Sequence, residues 1–176
     1  DPFSSPTGTG SLHFRGGNSS GSHAVVPYNA KLNFDASSFT ISFYGKVFMN
    51  GTNVTWLHHS GTNADYKLFS RWQELRFRVR NDAGDSNVLK VSVTGELSGE
   101  WAHIVAVRDL PNQKIKLYKD GIMIGSMDTD VGNLALGSNP LYIGIESDLD
   151  ATDFSAWADD VRLYNYALSD AQITAL

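Results

Sequence analysis

The chain has 176 residues, a length that suits one domain. Hydrophobic residues make up 41% and charged residues 19%, enough to build a core and too apolar for wholesale disorder. The formal charge of −5, from 14 Lys+Arg against 19 Asp+Glu, argues against a nucleic-acid binder, and the lack of cysteine excludes disulfides, thiolate metal sites and cysteine nucleophiles.

Residues 1–10 are rich in Pro, Gly, Ser and Thr and read as a tail or linker, which leaves 11–176 as the domain. Ser11 to Arg15 alternates, with Leu12 and Phe14 on one face. Ala24–Val26 is a short strand that Pro27 ends. Phe39 to Val47 is the cleanest strand: Phe39, Ile41, Phe43 and Val47 point one way, and Thr40, Ser42, Tyr44 and Lys46 the other. Val54 to His59 and Tyr66 to Ser70 follow, and then Glu74 to Arg80, where Leu75, Phe77 and Val79 alternate with charged residues. Val88 to Val93 and the apolar Trp101 to Arg108 come next. Asp120-Gly121 predicts a tight hairpin between Ile115–Lys119 and Ile122–Ser126. Leu141–Ile145 and Ala158–Tyr164 supply the last strands. Ser169 to Gln172 fits a capping box and predicts one short terminal helix. Ser, Thr and Asn together number 41, with 16 Gly and only four Glu, a composition poor for helices and good for strands and turns. The expectation is an all-β, two-sheet antiparallel sandwich of roughly 11 to 13 short strands.

Four segments resemble the LamG-like (laminin G type) jelly-roll domains of the concanavalin A-like lectin/glucanase superfamily. They are Ser11-Leu12-His13-Phe14-Arg15-Gly16, then Phe39-Thr40-Ile41-Ser42-Phe43, then Trp101 to Val107 with Leu117-Tyr118-Lys119-Asp120-Gly121, and finally Leu141-Tyr142-Ile143-Gly144 with Asp159 to Ser169. The resemblance runs over nearly the whole chain from about Ser11, and its closing segment is the most specific. It implies a jelly roll but no particular activity, because this fold hosts lectins, binding modules, glycosidases, lyases and adhesion domains.

Glycosidases of the superfamily present Glu-x-Asp-x-Glu on one strand face, so that two carboxylates can act as nucleophile and acid. Glu74, Glu96, Glu100 and Glu146 lie far apart and none sits in such a pattern. Jelly-roll alginate lyases are matched only at Glu74-Leu75-Arg76, with no counterpart of their proton-transfer pair. His103 falls where the family keeps a structural His after Trp. His58 and His59, adjacent on a strand, face opposite sides and cannot share a metal. The expectation is therefore no enzyme.

The resemblance also implies one structural calcium. Its ligands here would be the Asp159 carboxylate and backbone oxygens near Gly16, Gly17 and Asn18, a hard-cation set. The family's opening Asp is replaced by Arg15, so Arg15 pairing with Asp159 or Asp160 is the metal-free alternative.

The most informative local pattern is Trp72 to Arg80. Period-two geometry puts Trp72, Glu74, Arg76, Arg78 and Arg80 on the outer face. One reading is a solvated face with cross-strand ion pairs. The other is a groove for an acidic polysaccharide, since guanidinium forks bind carboxylate or sulfate and an indole offers a flat surface to a sugar ring. Tyr44, Trp56 and Trp157, the last placed in a loop before the closing strand, are further ligand candidates. The reading that follows is a non-catalytic carbohydrate-binding module, monomeric, secreted or at the cell surface, within a larger multidomain chain, with a glycan as partner and neither nucleic acid nor membrane. An adhesion or spacer domain with a protein partner is the alternative, and a lyase or hydrolase with an unfamiliar site the third.

Overall fold

Side-chain alternation dictates two layers, because each strand must bury one face. The computed structural model describes residues 5–8, 10–15, 22–48, 54–93, 99–145 and 155–176. The strands are β1 (Leu12–Arg15), β2 (Ala24–Val26), β3 (Phe39–Phe48), β4 (Val54–Ser60), β5 (Asp65–Arg71), β6 (Glu74–Arg80), β7 (Ser86–Ser92), β8 (Ala102–Asp109), β9 (Lys114–Lys119), β10 (Ile122–Asp128), β11 (Leu141–Ile143) and β12 (Ser155–Tyr164). A 3-10 turn covers Ala30–Leu32, and helix α1 spans Asp170–Thr174.

The first sheet has the order β1-β12-β3-β8-β9-β10 and the second β2-β11-β4-β5-β6-β7. All pairings are antiparallel. Chain neighbours β4 to β7 form a meander, whereas β12 inserts between β1 and β3. This is the expected jelly-roll sandwich.

Phe39, Ile41, Phe43, Ile104 and Leu117 of the first sheet meet Leu57, Tyr66, Leu68, Phe77 and Val79 of the second in one buried core. Burial of apolar area at ~25 cal/mol per Å² is the main stabilising term. A smaller cluster lies on the other side of the first sheet, where Leu168 and Ile173 cover Val105, Val107 and Tyr118. The helix is short but fixed. The Ser169 side chain accepts from Gln172 N, and Gln172 Oε1 accepts from Ser169 N, the predicted capping box.

Two hairpins are tight. Asp120 (φ 51°) and Gly121 (φ 78°) join β9 to β10, as their sequence predicts. Trp72 (φ 51°) and Gln73 (φ 63°) join β5 to β6 in the same left-handed region, with neither residue suited to it. Gly45 on β3 serves packing: a Cβ there would collide with Phe43 and crowd the Trp56 ring. No helix among the described residues is long and apolar enough to cross a membrane.

Candidate functional site

The outer face of the second sheet is set by register. Leu75, Phe77 and Val79 are fully buried in the core, so Glu74, Arg76, Arg78 and Arg80 of β6 face out, as predicted. Beside them stand Asp65, Lys67, Phe69 and Arg71 of β5, and Val88 and Lys90 of β7. Strands β5–β7 thus present six cations (Lys67, Arg71, Arg76, Arg78, Arg80, Lys90) and two carboxylates (Asp65, Glu74) on this face. The face is positive in an acidic protein.

The arginines are not bare. Asp65, whose side chain is fully buried, takes two hydrogen bonds from Arg78, Nε to Oδ1 at 2.8 Å and Nη2 to Oδ2 at 2.7 Å. Arg80 Nη2 reaches the same Oδ2 at 2.8 Å. Arg76 Nη2 lies 2.6 Å from Glu74 Oε2, and its guanidinium also faces the Phe69 ring at 5.8 Å. Arg76, Arg78 and Arg80 are therefore held by neighbouring carboxylates, so a ridge of guanidiniums open to a ligand is not what forms. Two arginines converging on one buried carboxylate leave a surplus of charge over the pair, not neutrality.

Trp72 is the exception to this enclosure. It sits at the β5–β6 turn and is 63% exposed, the most exposed Phe, Tyr or Trp among the described residues. The Arg71 guanidinium lies over its ring at 4.0 Å and that of Arg76 at 5.6 Å. The result is a corner where an indole, two guanidiniums and the Glu74 carboxylate meet. Holding Trp72 and Gln73 at positive φ stores roughly 1–2 kcal/mol each, and strain of this kind gathers at functional positions.

The remaining ligand candidates do not join this corner. Trp56 is a correction: a bulge between Thr55 and Leu57 turns its ring into the core, where it is 3% exposed and donates Nε1–H to Ser70 Oγ at 2.8 Å. Trp157 is within β12, not in a loop before it. Its ring is buried on the outer side of the first sheet, stacked on His13 at 4.1 Å with Lys46 Nζ 5.9 Å away. Tyr44 is on that same side, half-buried and stacked on His103 at 4.8 Å. The three candidates are thus divided between the outer side of the first sheet and the core.

Of the expected calcium set, Asp159 alone is among the described residues. Gly16, Gly17 and Asn18 lie outside them. Asp159 stands four residues along β12 from Ser155, the partner of Arg15, a distance of ~13 Å along a strand. Its Oδ2 already accepts from Ser5 Oγ and from Thr7 Oγ1 (2.9 Å), so part of the predicted tail is pinned to it. No ion pair joins Arg15 to it among the described residues. Asp160, at φ 49° in the bulge of β12, pairs with Arg162 at 2.6 Å. The acidic residues Asp148, Asp150 and Asp153 lie outside the described residues. No group of three or more His, Asp or Glu side chains with metal-binding geometry occurs among the described residues.

Sequence reasoning missed Arg108. It is fully buried, and its guanidinium donates to five carbonyls: Phe34, Asp35, Ser37, Val131 and Gly132. Burial pushes its pKa down to about 10, which leaves it charged at neutral pH. The signal was present: Ile104 and Ala106 face inward, so Arg108 must too.

Three imidazoles are held below the ordinary 6.5, each first by burial. They are His13, His59 (stacked on Tyr66 at 5.3 Å) and His103 (Nε2 2.8 Å from Ser42 Oγ). Between each lowered value and 6.5 the unfolded chain binds more protons than the folded one. Stability therefore falls as pH drops below about 6.5 and levels off once the folded imidazoles also protonate. Melting curves from pH 7 to 5 should show this fall, and His59→Gln should flatten it. A further loss begins near pH 4. Burial alone would raise Asp109, Asp120 and Asp159, but hydrogen bonds outweigh it and hold all three below the ordinary 3.8.

Residues 17–174 match the family Laminin_G_3, described as the Concanavalin A-like lectin/glucanases superfamily. No curated protein matches the chain. Among solved structures, the receptor binding domain of botulinum neurotoxin D is similar at 16% identity and a TM-score of 0.76, covering 95% of this chain and 43% of that one. The binding domain of Paraclostridial Mosquitocidal Protein 1 gives 18%, 0.77, 94% and 42%. The botulinum neurotoxin serotype G binding domain gives 12%, 0.73, 97% and 46%. The chain thus spans less than half the length of these structures. Likeness at this identity is likeness of fold.

Proposed function

The chain belongs to the Laminin_G_3 family of the Concanavalin A-like lectin/glucanases superfamily, and from that membership we propose that it is a non-catalytic carbohydrate-binding module of a secreted multidomain protein. The ligand is an acidic polysaccharide, and the contact is the Trp72 corner of the second sheet. The observation that carries this reading is the exposed, strained Trp72 flanked by Arg71 and Arg76. An indole offers a sugar ring an apolar plane, and guanidiniums beside it match carboxylate or sulfate. Arg71 and Lys90 supply cations outside the Asp65 and Glu74 pairs. Arg76, Arg78 and Arg80 act behind them, as fixed positive charge instead of primary contacts. The similar fold of toxin binding domains is consistent with a binding role. Glu74 is engaged by Arg76 and so is poorly placed to move protons.

The test is affinity gel retardation with polygalacturonate and heparin. The wild type should be retarded at low salt and less so as salt rises, since surface charges are screened. Arg71→Ala with Trp72→Ala should abolish retardation without unfolding the domain. Unchanged retardation in that double variant would remove the reading.

A protein-binding or adhesive role has one observation in its favour. Ile122 and Met123, at the start of β10, are 69% and 50% exposed. An Ile122→Lys variant separates the two: it should leave polysaccharide binding intact, and it would disrupt a protein interface centred there.

A further inference from the structure

At one end of the sandwich, the β8–β9 turn and the segment entering α1 flank an open hollow of about 740 Å³. That is within the range of small-ligand clefts. Asp109 and Lys116 form its floor on the outer side of the first sheet. Asp109 is 6% exposed. Asn112 Nδ2 donates to its two carboxylate oxygens at 3.1 and 2.9 Å, and Lys116 Nζ to Oδ2 at 3.1 Å. Asp109 is thus a buried anchor that fixes an amide and an ammonium at the cavity. The Asn112 amide oxygen and the other Lys116 protons are the groups left to serve a ligand. Asp170 borders the opposite wall, held by the Tyr118 hydroxyl at 2.7 Å. Tyr166 borders the same cavity, 47% exposed and edge-on to Tyr164 at 5.9 Å.

Two further hollows adjoin it. One of about 500 Å³ shares Tyr166 and runs along Tyr164 and Lys31. The other, of about 590 Å³, shares Asn112 and is bordered by Asp128 and Asp130. Through Tyr166 and Asn112 the three hollows neighbour one another as a trough at this end of the domain. Its charge is opposite to that of the second sheet. Asp109, Asp128, Asp130 and Asp170 stand against Lys31, Lys116 and Lys114, the last paired with Asp128 at 2.6 Å, a small acidic excess that disfavours a polyanion. Tyrosine faces with amide, carboxylate and ammonium groups suit uncharged, hydroxyl-rich rings.

We infer that this trough binds a neutral oligosaccharide, one ring lying on Tyr166 with its hydroxyls on Asn112, Lys116 and Asp170. The inference is independent of the Trp72 corner, and the two sites give the module one contact for charged and one for uncharged sugar.

The experiment is a nitrogen–proton correlation NMR titration of the full chain with linear neutral hexasaccharides of glucose, mannose, galactose and xylose. At least one should shift signals of residues 109–116 and 166–172 saturably. Affinity should be the same at about 0.05 and 0.5 M NaCl, because no net charge pairing is involved. Tyr166→Ala and Asn112→Ala should each weaken binding roughly tenfold with melting temperatures near that of the wild type. Trp72→Ala should change nothing. If none of the four sugars moves those signals, or if Tyr166→Ala binds like the wild type, the inference is overturned. A response to polygalacturonate alone, lost in Trp72→Ala, would overturn the trough and leave the sheet-face reading standing. A trough response with no polyanion binding would do the reverse.

Discussion

An Arg108→Leu variant is expected to be strongly destabilised. The leucine would fit the apolar core, and its volume is not the difficulty. The difficulty is the five carbonyls that the guanidinium reaches. Those of Phe34 and Asp35 also accept from Ser37 N and Leu134 N, so the Ser37, Val131 and Gly132 carbonyls are the ones that would lose their donor. Each buried acceptor left without a donor costs about 1–3 kcal/mol. Even if water reaches one of the three, the loss is roughly 2–6 kcal/mol, against a typical domain stability of about 5–15 kcal/mol. The carbonyls also belong to two separate segments, 34–37 and 131–132, so the guanidinium adds to the tie that Leu134 N and Leu136 N make to Asp35. Arg108→Lys should be intermediate, since an ammonium keeps the charge but cannot span both segments with a planar fork. Circular dichroism and urea titration of the two variants read this directly. A Leu variant as stable as the wild type would show that the loops hold themselves.

The second large effect runs in opposite directions for stability and binding. Trp72 and Gln73 occupy a two-residue hairpin turn in the left-handed region, where Asn-Gly is the favoured pair. Replacing them by Asn and Gly should relieve about 2–4 kcal/mol of backbone strain. It forfeits the stacking of Arg71 and Arg76 on the indole, worth about 0.5–1 kcal/mol at an exposed site. The net expectation is a gain of roughly 1–3 kcal/mol, which raises the melting temperature by a few degrees for a domain of this size. Polyanion binding should nevertheless be lost. A residue kept only for structure would not improve stability when removed. If W72N/Q73G lowers the melting temperature, the strain argument fails.

Much of the fold was legible because period-two alternation is a strong signal when one face is buried. Phe39, Ile41 and Phe43, and again Leu75, Phe77 and Val79, announced their inward faces, and all six are in the core. The Asp120-Gly121 turn and the Ser169 capping box depend on short-range chemistry and were equally clear. The candidate site was less legible, for three physical reasons. A bulge shifts register without a sequence mark, and the one after Thr55 lets both Trp56 and Leu57 enter the core. Which strands are neighbours is not written locally, so Tyr44 and Trp157 were grouped with arginines that belong to the other sheet. Ion pairing depends on cross-strand partners: Asp65 lies thirteen positions from Arg78 and fifteen from Arg80, and only the β5–β6 register brings it beneath them. Trp72 had been placed on the outer face, but its left-handed backbone, which makes it informative, comes from the length of the turn.

The most direct measurement is a titration of the labelled wild type with oligogalacturonate, read at the indole Nε1–H signals. The protein has four tryptophans. Trp56 gives its Nε1–H to Ser70 inside the core and Trp157 is buried on the first sheet, so neither should respond. The account predicts that the Trp72 signal moves saturably, together with the Nε–H signals of Arg71 and Arg76, and that added salt reverses the change. A Trp72 signal that stays in place while the oligosaccharide binds elsewhere, or an absence of binding to any polyanion at low salt, would contradict it.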